Sequence, residues 1–253
     1  MARIIAIANQ KGGVGKTTTC VNLTFALKKR GRKVLLVDCD AQGNATSGMG
    51  VDKSITPNMY HVLTQGVPAA ECIVHTNYGD VIPTNKDLSG AGVELVDVEG
   101  REYVLRQALE PLRDQYDYII IDCPPSLELL TVNALAAADG VLVPVQCEYY
   151  ALEGIADLTT TIKMINARIN PKLEIQGIVL TMYDSRTNFS EQVAAEIRNF
   201  FGDKVYKTVI PRNVRIAEAP SHGKPVIAYD RISRGSSAYL KLAAELVKQI
   251  EHK

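Results

Sequence analysis

A glycine-rich loop near the start of the sequence, Lys11–Thr18 with the letters KGGVGKTT, has residue types and spacing that suit phosphate binding. In the general pattern G-x-x-x-x-G-K-[ST], backbone N–H groups surround phosphate oxygens, the lysine reaches the terminal phosphates and the hydroxyl holds Mg²⁺. Gly15, Lys16 and Thr17 fill the last three places, whereas Gln10 stands where the first glycine is usual. The other glycines still permit a close approach of the backbone to a ligand, so the sequence predicts a phosphate-binding loop.

The segments on both sides of this loop match the elements that must position it. Ile4–Ala8 is a short apolar run rich in β-branched residues, which predicts a buried parallel strand. Thr17–Lys29 carries apolar residues among helix-compatible ones, and Gly31 follows where a glycine commonly ends a helix. Strand, loop and helix in this order place the helix N-terminus, with its free N–H groups, at the phosphates. The competing interpretation, a flexible glycine-rich turn, would not require these neighbours.

Three aspartates follow two further apolar segments, where a parallel sheet places its ligand-binding residues. Asp122 ends the run Tyr118–Asp122, a pattern typical of a Walker B strand whose carboxylate holds Mg²⁺ through its water shell. The alternative for Asp122 is a cap or turn residue before two prolines. Asp38 and Asp40 end another such run, and because positions i and i+2 share one face of a strand, both carboxylates point the same way.

The whole sequence alternates between strand-like and helix-like segments, which predicts a single α/β domain over residues 1–253, with a mostly parallel twisted sheet and helices on both faces. The predicted strands are Arg3–Ala8, Lys33–Asp38, Asp80–Pro83, Tyr118–Asp122, Val141–Val145, Ile175–Thr181 and Val205–Ile210. The predicted helices after the first are Glu102–Asp114, Leu129–Ala138, Ala151–Ala167, Glu191–Phe200 and Ser237–Ile250. Residues 51–77 carry no recognisable motif.

The composition of the 253-residue chain, 46% hydrophobic and 22% charged, is that of an ordinary soluble globular protein. No apolar run approaches the roughly 18 residues of a membrane-spanning helix, and the first segment is a strand instead of a signal peptide, so we expect a cytoplasmic protein. The 5 cysteines form no C-x-x-C pair and the 4 histidines show no metal-ligand spacing. We therefore expect no metal cluster.

Charge is balanced over the chain but unevenly distributed along it. Residues 1–162 carry a net charge of −6 and residues 163–253 a net charge of +6. Such asymmetry between halves is a hint of binding to a polyanion. Charges scattered over solvated faces would give the same values, so charge alone leaves both interpretations open.

The loop pattern K-G-G-x-G-K-T-T resembles the deviant Walker A family of ATPases, which includes the ParA/Soj partition proteins, the MinD division regulators and the nitrogenase iron protein. Further segments resemble Soj-type ParA proteins almost end to end; they are Cys123–Ser126, Pro144–Gly154, Thr181–Asn188, Ile210–Arg215 and Glu218–Pro225. The resemblance implies a single-domain P-loop NTPase fold with ATP and Mg²⁺ as cofactors.

The resemblance also implies roles for individual residues. In the family, the first lysine of the loop, here Lys11, reaches the nucleotide of a partner subunit, and the second aspartate of D-x-D, here Asp40, orients the attacking water. The catalytic residues are then Lys11, Lys16 and Asp40, and Mg²⁺ is held by Thr17, Asp38 and Asp122. Nucleotide contacts are implied for Lys11, Gly12, Gly13, Val14, Gly15, Lys16, Thr17 and Thr18, with Pro211 and Asn213 at the adenine.

The function that the resemblance implies is a partitioning ATPase that dimerises with ATP and, as a homodimer, binds double-stranded DNA without sequence preference. A ParB/Spo0J-type centromere-binding protein would stimulate hydrolysis and release, and the protein would be associated with the nucleoid and not with a membrane. Arg186 and Arg215 match positions implicated in DNA contact, and Lys224 could extend that patch, although a single lysine is more commonly ordinary surface. Because the loop begins at residue 11, we expect no N-terminal helix-turn-helix.

Alternative functions remain open from the sequence. A MinD-like cell-division regulator would bind a membrane through a basic amphipathic helix, whereas the last segment here mixes lysines and glutamates on its polar face. A cluster-carrier ATPase would need cysteines that hold iron–sulfur at a dimer interface, and the sequence has no suitable pair. A nucleotide-gated scaffold is harder to separate from a slow ATPase, because switching and hydrolysis belong to one cycle.

Overall fold

Seven strands among the described residues form one sheet at the centre of the molecule. They are β1 (Arg3–Ile7), β2 (Val34–Asp38), β3 (Val74–Thr76), β4 (Gly79–Ile82), β5 (Tyr118–Asp122), β6 (Gly140–Gln146) and β7 (Glu174–Thr181). Their spatial order is β3-β4-β2-β5-β1-β6-β7, and neighbouring strands are parallel except β3 and β4. The structure, a computed structural model, describes residues 1–148 and 151–251, without the side chains of residues 151–153. Tyr149 and Tyr150 of the family-like segment Pro144–Gly154 lie outside the described residues.

Helices cover both faces of this sheet, as the alternating pattern predicts. They are α1 (Lys16–Lys29), α2 (Asn44–Gly48), α3 (Met59–Gln65), α4 (Ala91–Glu94), α5 (Val104–Leu109), α6 (Leu129–Ala137), α7 (Ala151–Arg168), α8 (Asn188–Phe201), α9 (Val214–Glu218), α10 (Val226–Tyr229) and α11 (Arg234–Glu251). One apolar core lies between the sheet and α1, α2, α10 and α11. The other lies between the sheet and α3 to α8. Strands β2 and β5 are buried along their whole length, as expected for parallel strands covered on both faces.

The register of the central strands brings the predicted chemistry to one edge of the sheet. Asp38, the last residue of β2, pairs with Asp122, the last residue of β5. On its other side Asp122 pairs with Ile7, the last residue of β1, from which the glycine-rich loop begins. The order of the strands thus places the loop and the two aspartates next to each other.

One predicted strand, Val205–Ile210, is wrong. Only isolated bridges join this part of the chain to the sheet. The N–H groups of Lys207 and Thr208 donate to the carboxylate of Glu245 on α11, at 2.7 and 3.0 Å, instead of to a neighbouring strand. The N–H groups of Tyr206 and Ile210 do donate to carbonyls of β7, so the distant side chain of Glu245 interrupts the ladder between them.

Two other parts of the chain differ from the prediction. The predicted helix Glu102–Asp114 is divided into α5 and short 3₁₀ turns at Arg101–Tyr103 and Glu110–Leu112, and Pro111 in the second turn cannot supply the N–H that would continue a helix. Residues 51–77, which carry no motif, form α3, a 3₁₀ turn at Ala69–Cys72 and the edge strand β3. In the part of the chain that the structure describes, no helix combines the length and apolar character needed to cross a membrane.

Candidate nucleotide-binding site

The glycine-rich loop joins β1 to α1 and has the backbone geometry of an anion cradle. Gly13 and Gly15 have positive φ angles of 75° and 91°, which glycine adopts without steric cost. Helix α1 begins at Lys16, so its first N–H groups, which lack partners within the helix, face the loop. A side-chain carbon placed on Gly12 or Gly13 would meet no atom within 4 Å, so the loop borders open space there.

The two lysines of the loop have different surroundings. Lys16 is only 7% exposed, and its Nζ donates to the backbone carbonyl of Lys11 at 3.3 Å. The Nζ of Lys11 instead lies 2.7 Å from Oε2 of Glu148, just after β6, and both side chains are partly exposed, at 36% and 46%. The backbone N–H of Lys11 donates to the side chain of Asn9, which in turn donates to the carbonyl of Pro144. Lys16 therefore lies inside the loop, whereas Lys11 is held at its rim.

Asp122 is fully buried and has one oxygen available for a ligand. Oδ1 accepts a hydrogen bond from Sγ of Cys20 at 3.3 Å, whereas Oδ2 is buried with no hydrogen-bond partner within the described part of the chain. Burial, together with the nearby charge of Asp38, raises the pKa of Asp122 to about 8, although hydrogen bonds from Thr17 and Cys20 act in the opposite direction. An unpartnered buried carboxylate oxygen beside the loop threonine fits a Mg²⁺ shell, because hard cations take oxygen ligands.

Asp38 is also buried, but its oxygens are already engaged. Oδ2 accepts from both the N–H and the hydroxyl of Thr46, each at 2.7 Å, and Oδ1 accepts from the N–H of Asp40 at 3.2 Å. Burial raises the pKa of Asp38 to about 6, against the effect of these hydrogen bonds. Asp38 thus clamps the segment that carries Asp40, while its role as a magnesium ligand stays a prediction.

Asp40 lies half-buried directly beyond the end of β2. Its Oδ1 accepts a hydrogen bond from the N–H of Gln42 at 3.0 Å, which closes a small turn. This turn fixes the orientation of the Asp40 carboxylate at the end of β2. Thr17 and Thr18 are half-buried in the first turn of α1. The structure thus brings the phosphate loop, the D-x-D segment and the Walker B aspartate to one edge of the sheet.

The predicted adenine residues lie on a segment attached to the end of β7. Pro211 forms a bridge with Tyr183, and with it lines a cleft of about 540 Å³ that extends to α11. Asn213 caps α9, since its Oδ1 accepts from the N–H groups of Arg215 and Ile216 at 2.9 and 3.4 Å. Within the Asn213 side chain, the amide NH₂ is then left to contact a base.

The predicted DNA residues are exposed but two of them carry acidic partners. Arg186 has an 85% exposed side chain and makes two hydrogen bonds with Asp184, at 2.8 and 2.7 Å. Arg215 pairs with Glu218 and Asp230. Lys224 is exposed on the turn before α10. Phosphate contact by either arginine would have to compete with a carboxylate of the same chain.

The structure adds four residues that the motifs did not identify. Two of them had a signal in the sequence, because Thr46 closely follows the D-x-D segment and Thr181 ends a predicted strand. Glu148 lies in the family-like segment Pro144–Gly154 and Cys20 just after the loop, but only the fold shows that they contact Lys11 and Asp122. These residues are Thr46, Thr181, Glu148 and Cys20.

Comparison with known proteins agrees with this geometry. A family model described as an AAA domain matches residues 2–175. The chain is 55% identical over 249 residues to the sporulation initiation inhibitor protein Soj of Bacillus subtilis, covering 97% of this chain and 98% of Soj. It is 54% identical over 252 residues to the chromosome partitioning protein ParA of Caulobacter vibrioides, covering 98% of this chain and 94% of that protein.

Solved structures give the same fold. A structure described as cobyrinic acid a,c-diamide synthase of Mycobacterium smegmatis, with bound ADP and magnesium, is 38% identical with a TM-score of 0.87 and covers 99% of this chain and 96% of its own. The cell division ATPase MinD of Pyrococcus furiosus is 30% identical with a TM-score of 0.81, covering 98% and 99%. Because the ParA and Soj relatives match nearly end to end at more than half identity, the chain belongs to the ParA/Soj family of P-loop chromosome-partitioning ATPases.

Proposed function

We propose that this chain is an ATP-dependent DNA partitioning protein, in which ATP drives dimerisation, the dimer binds DNA without sequence preference, and a ParB-type partner stimulates hydrolysis and release. The observation that carries the proposal is the different placement of the two loop lysines. Lys16 lies inside the loop, as a residue serving its own nucleotide should, whereas Lys11 extends to the rim, where it meets Glu148. We infer that this lysine at the rim serves the nucleotide of a second subunit.

Within one subunit, the residues divide the work of phosphoryl transfer. Lys16 would exchange the Lys11 carbonyl for phosphate oxygens, and the N–H groups of the loop would bind the remaining oxygens. Thr17 and Asp122 would hold Mg²⁺, which neutralises charge on the phosphates when bound. Asp40 would orient the attacking water, held in place by the clamp that Asp38 forms on its segment. The solved structure of the M. smegmatis relative contains ADP and magnesium, which supports binding of a nucleotide and Mg²⁺ by this chain.

Between subunits, Lys11 would leave Glu148 and bind the phosphates of the partner's ATP. Its pair with Glu148 is solvent-exposed on both sides, and exposed ion pairs contribute only about 0–1 kcal/mol. A multiply charged phosphate chain can therefore displace the glutamate. This exchange would make ATP the link between two copies of the chain.

DNA binding by the dimer would use the exposed cations of the basic C-terminal part of the sequence. Arg186 and Arg215 lie on two segments joined by the Tyr183–Pro211 bridge, and Lys224 follows α9 on the same stretch of chain. Two copies of such a surface would bind phosphates without reading bases, and affinity would fall steeply with salt. We propose that the protein is accordingly cytoplasmic and associated with the nucleoid, as the names of its ParA relatives support.

The alternative, a MinD-like membrane-associated division regulator, finds less support in the last helix. The apolar face of α11 is buried in the core through residues such as Leu242, Ala243 and Leu246. Its polar face includes Glu245, which is acidic and accepts hydrogen bonds from the backbone N–H groups of Lys207 and Thr208. A helix held in this way is not available to lie in a bilayer surface.

The test is retention on linear double-stranded DNA with ATP, ADP or no nucleotide, each with Mg²⁺, over a series of salt concentrations. We expect retention with ATP alone, with log affinity falling linearly with log salt. Lys16→Ala should abolish retention because it removes nucleotide binding. Equal retention in all nucleotide states would contradict ATP control, and ATP-dependent binding to anionic lipid vesicles without DNA binding would favour the MinD-like alternative.

A further inference from the structure

Thr181, the last residue of β7, contacts the phosphate loop directly. Its side chain is 2% exposed, and its hydroxyl donates to the backbone carbonyl of Val14 at 2.8 Å. A side-chain carbon placed on Gly15 would lie 3.9 Å from the methyl group of Thr181. Both branches of Thr181 therefore face the loop, although β7 is two strands away from β1.

The direction of the Val14 carbonyl matters for binding an anion. A phosphate loop works because N–H groups point at the phosphates, so each carbonyl must point elsewhere and must find a partner when buried. Val14 is 1% exposed, and Thr181 supplies the hydrogen bond that its carbonyl needs. Without this donor, the carbonyl would have to turn toward solvent at the ligand side of the loop, where its partial negative charge opposes phosphate.

The residue after Thr181 has an unusual backbone. Met182 has a φ of +48°, and it is the one residue other than glycine with a positive φ in the described part of the chain. Such a conformation is costly for a residue with a side chain, and it persists only where the surroundings impose it. Met182 lies between the end of β7 at Thr181 and the bridge that Tyr183 forms with Pro211.

Tyr183 is hydrogen-bonded to the segment that carries the predicted adenine residues. The N–H of Tyr183 donates to the carbonyl of Ile210 at 3.0 Å, and its carbonyl accepts from the N–H of Arg212 at 3.1 Å. The N–H of Ile210 donates to the carbonyl of Leu180 at 2.8 Å. The Val14 carbonyl is thus linked to residues 210–212 by the Thr181 hydrogen bond, the backbone from Thr181 to Tyr183 and the hydrogen bonds of Tyr183.

We propose that Thr181 is a positioning residue that sets the phosphate loop for nucleotide and couples the loop to residues 210–213. Its hydroxyl holds the Val14 carbonyl away from the phosphates. The backbone from Thr181 through Met182 to Tyr183 then links the position of Thr181 to that of the segment with Pro211 and Asn213. The proposal rests on the nucleotide binding proposed above. It assigns to one threonine the contact between the phosphate end and the base end of the site.

The experiment compares wild type with Thr181→Val, which keeps the shape but removes the donor, and with Thr181→Ser, which keeps the donor. Thr76→Val is the matched control, because the Thr76 hydroxyl also donates to a backbone carbonyl, that of Gly79 at 2.6 Å, on the distant edge hairpin. Affinity for fluorescently labelled ADP with Mg²⁺ is measured for each protein. Thr181→Val should bind about tenfold more weakly, as expected when a buried carbonyl loses its donor, and Thr181→Ser and Thr76→Val within about twofold of wild type.

A second readout tests the coupling. Hydrogen exchange of the amides of Tyr183 and Arg212 should slow when ADP binds wild type, and it should not slow in Thr181→Val at saturating ADP. Binding of ADP by Thr181→Val within twofold of wild type, or binding by Thr181→Ser as weak as that of the valine variant, would overturn the role of the hydroxyl. Equal slowing of exchange in wild type and valine variant would overturn the coupling. Failure of wild type to bind ADP at all would instead refute the proposed function, and the inference with it.

Discussion

Replacement of Asp122 by asparagine should stabilise the nucleotide-free protein while removing its response to Mg²⁺. The carboxylate is fully buried, one oxygen has no partner within the described residues, and burial together with Asp38 raises its pKa to about 8. Folding therefore leaves a charge in an apolar position at high pH. Asparagine has nearly the same shape and carries no charge, so the variant avoids this penalty but cannot serve a metal as a carboxylate does.

The sign of the pH dependence follows from the raised pKa. The folded state binds a proton at Asp122 more tightly than the unfolded state, in which the carboxyl has its ordinary value of 3.8. The contribution of Asp122 to the free energy of unfolding of wild type therefore decreases as pH rises from about 4 to about 8, and it is level above that range. Asp38, whose pKa is raised to about 6, contributes in the same direction over a narrower range.

The magnitude can be set from the additional cost of a charge on a buried group without a partner. An unpartnered neutral group costs about 1–3 kcal/mol and a charged one costs more. Asparagine keeps an unpartnered polar atom but removes the charge, so we expect Asp122→Asn to gain about 2 kcal/mol at pH 8. For a chain of this size, 1 kcal/mol corresponds to about 2–4 °C, which predicts a rise in Tm of about 4–8 °C. At pH 5 the gain should be smaller, because wild-type Asp122 is protonated in the folded state there.

The assay is thermal unfolding in EDTA at pH 5 and pH 8, repeated with Mg²⁺ and ADP. Asp97→Asn is the matched control, because Asp97 is exposed and the same change there should leave Tm unaltered at both pH values. Wild type should gain stability from Mg²⁺ and ADP, and Asp122→Asn should gain much less. A variant that is less stable than wild type at pH 8, or whose gain is the same at both pH values, would refute the reasoning.

Three further predictions concern dimerisation and DNA. Glu148→Gln should strengthen the ATP dimer about fivefold in sedimentation velocity, because two exposed Lys11 ion pairs of about 0.5 kcal/mol each no longer have to break; a weaker dimer would contradict this. Asp40→Ala should keep ATP binding and trap the dimer, so a monomer on gel filtration with ATP would show that its assigned role is wrong. Arg186→Glu should remove DNA retention without changing dimerisation, and undiminished retention at low salt would count against it.

The parts of the fold that could be predicted from the sequence are those specified by local pattern. The run Tyr118–Asp122 matches β5 at both ends, because a fully buried parallel strand needs an unbroken series of apolar residues before its polar end. The loop and α1 follow from glycine spacing and helix compatibility within a few residues. Strand order then brings Asp38 and Asp122 together, and this follows from the general rule that ligands bind at the carboxyl ends of parallel strands.

The parts that could not be predicted depend on contacts between distant residues. Val205–Ile210 has the composition of a strand, but Glu245 accepts the N–H groups of Lys207 and Thr208, and no local pattern indicates that competition. The difference in hydrogen bonding between Asp38 and Asp122 could not be predicted from the sequence either. Both end apolar strands, and only the packing of Thr46 against Asp38 leaves one carboxylate engaged and the other with an unpartnered oxygen.

The loop lysines and Asp122 differ in the contacts that a nucleotide and its Mg²⁺ must displace. The two loop lysines are satisfied by their own chain, Lys16 by a backbone carbonyl and Lys11 by Glu148, so a nucleotide must first displace these contacts. A cation that binds Oδ2 of Asp122 displaces no hydrogen bond, because this oxygen has no partner in the described part of the chain. The largest gain in free energy on binding is therefore expected at the metal side of the site, where a cation relieves a buried charge. Nucleotide affinity should then depend more on Mg²⁺ as pH rises from 6 to 8, because Asp122 becomes charged over that range.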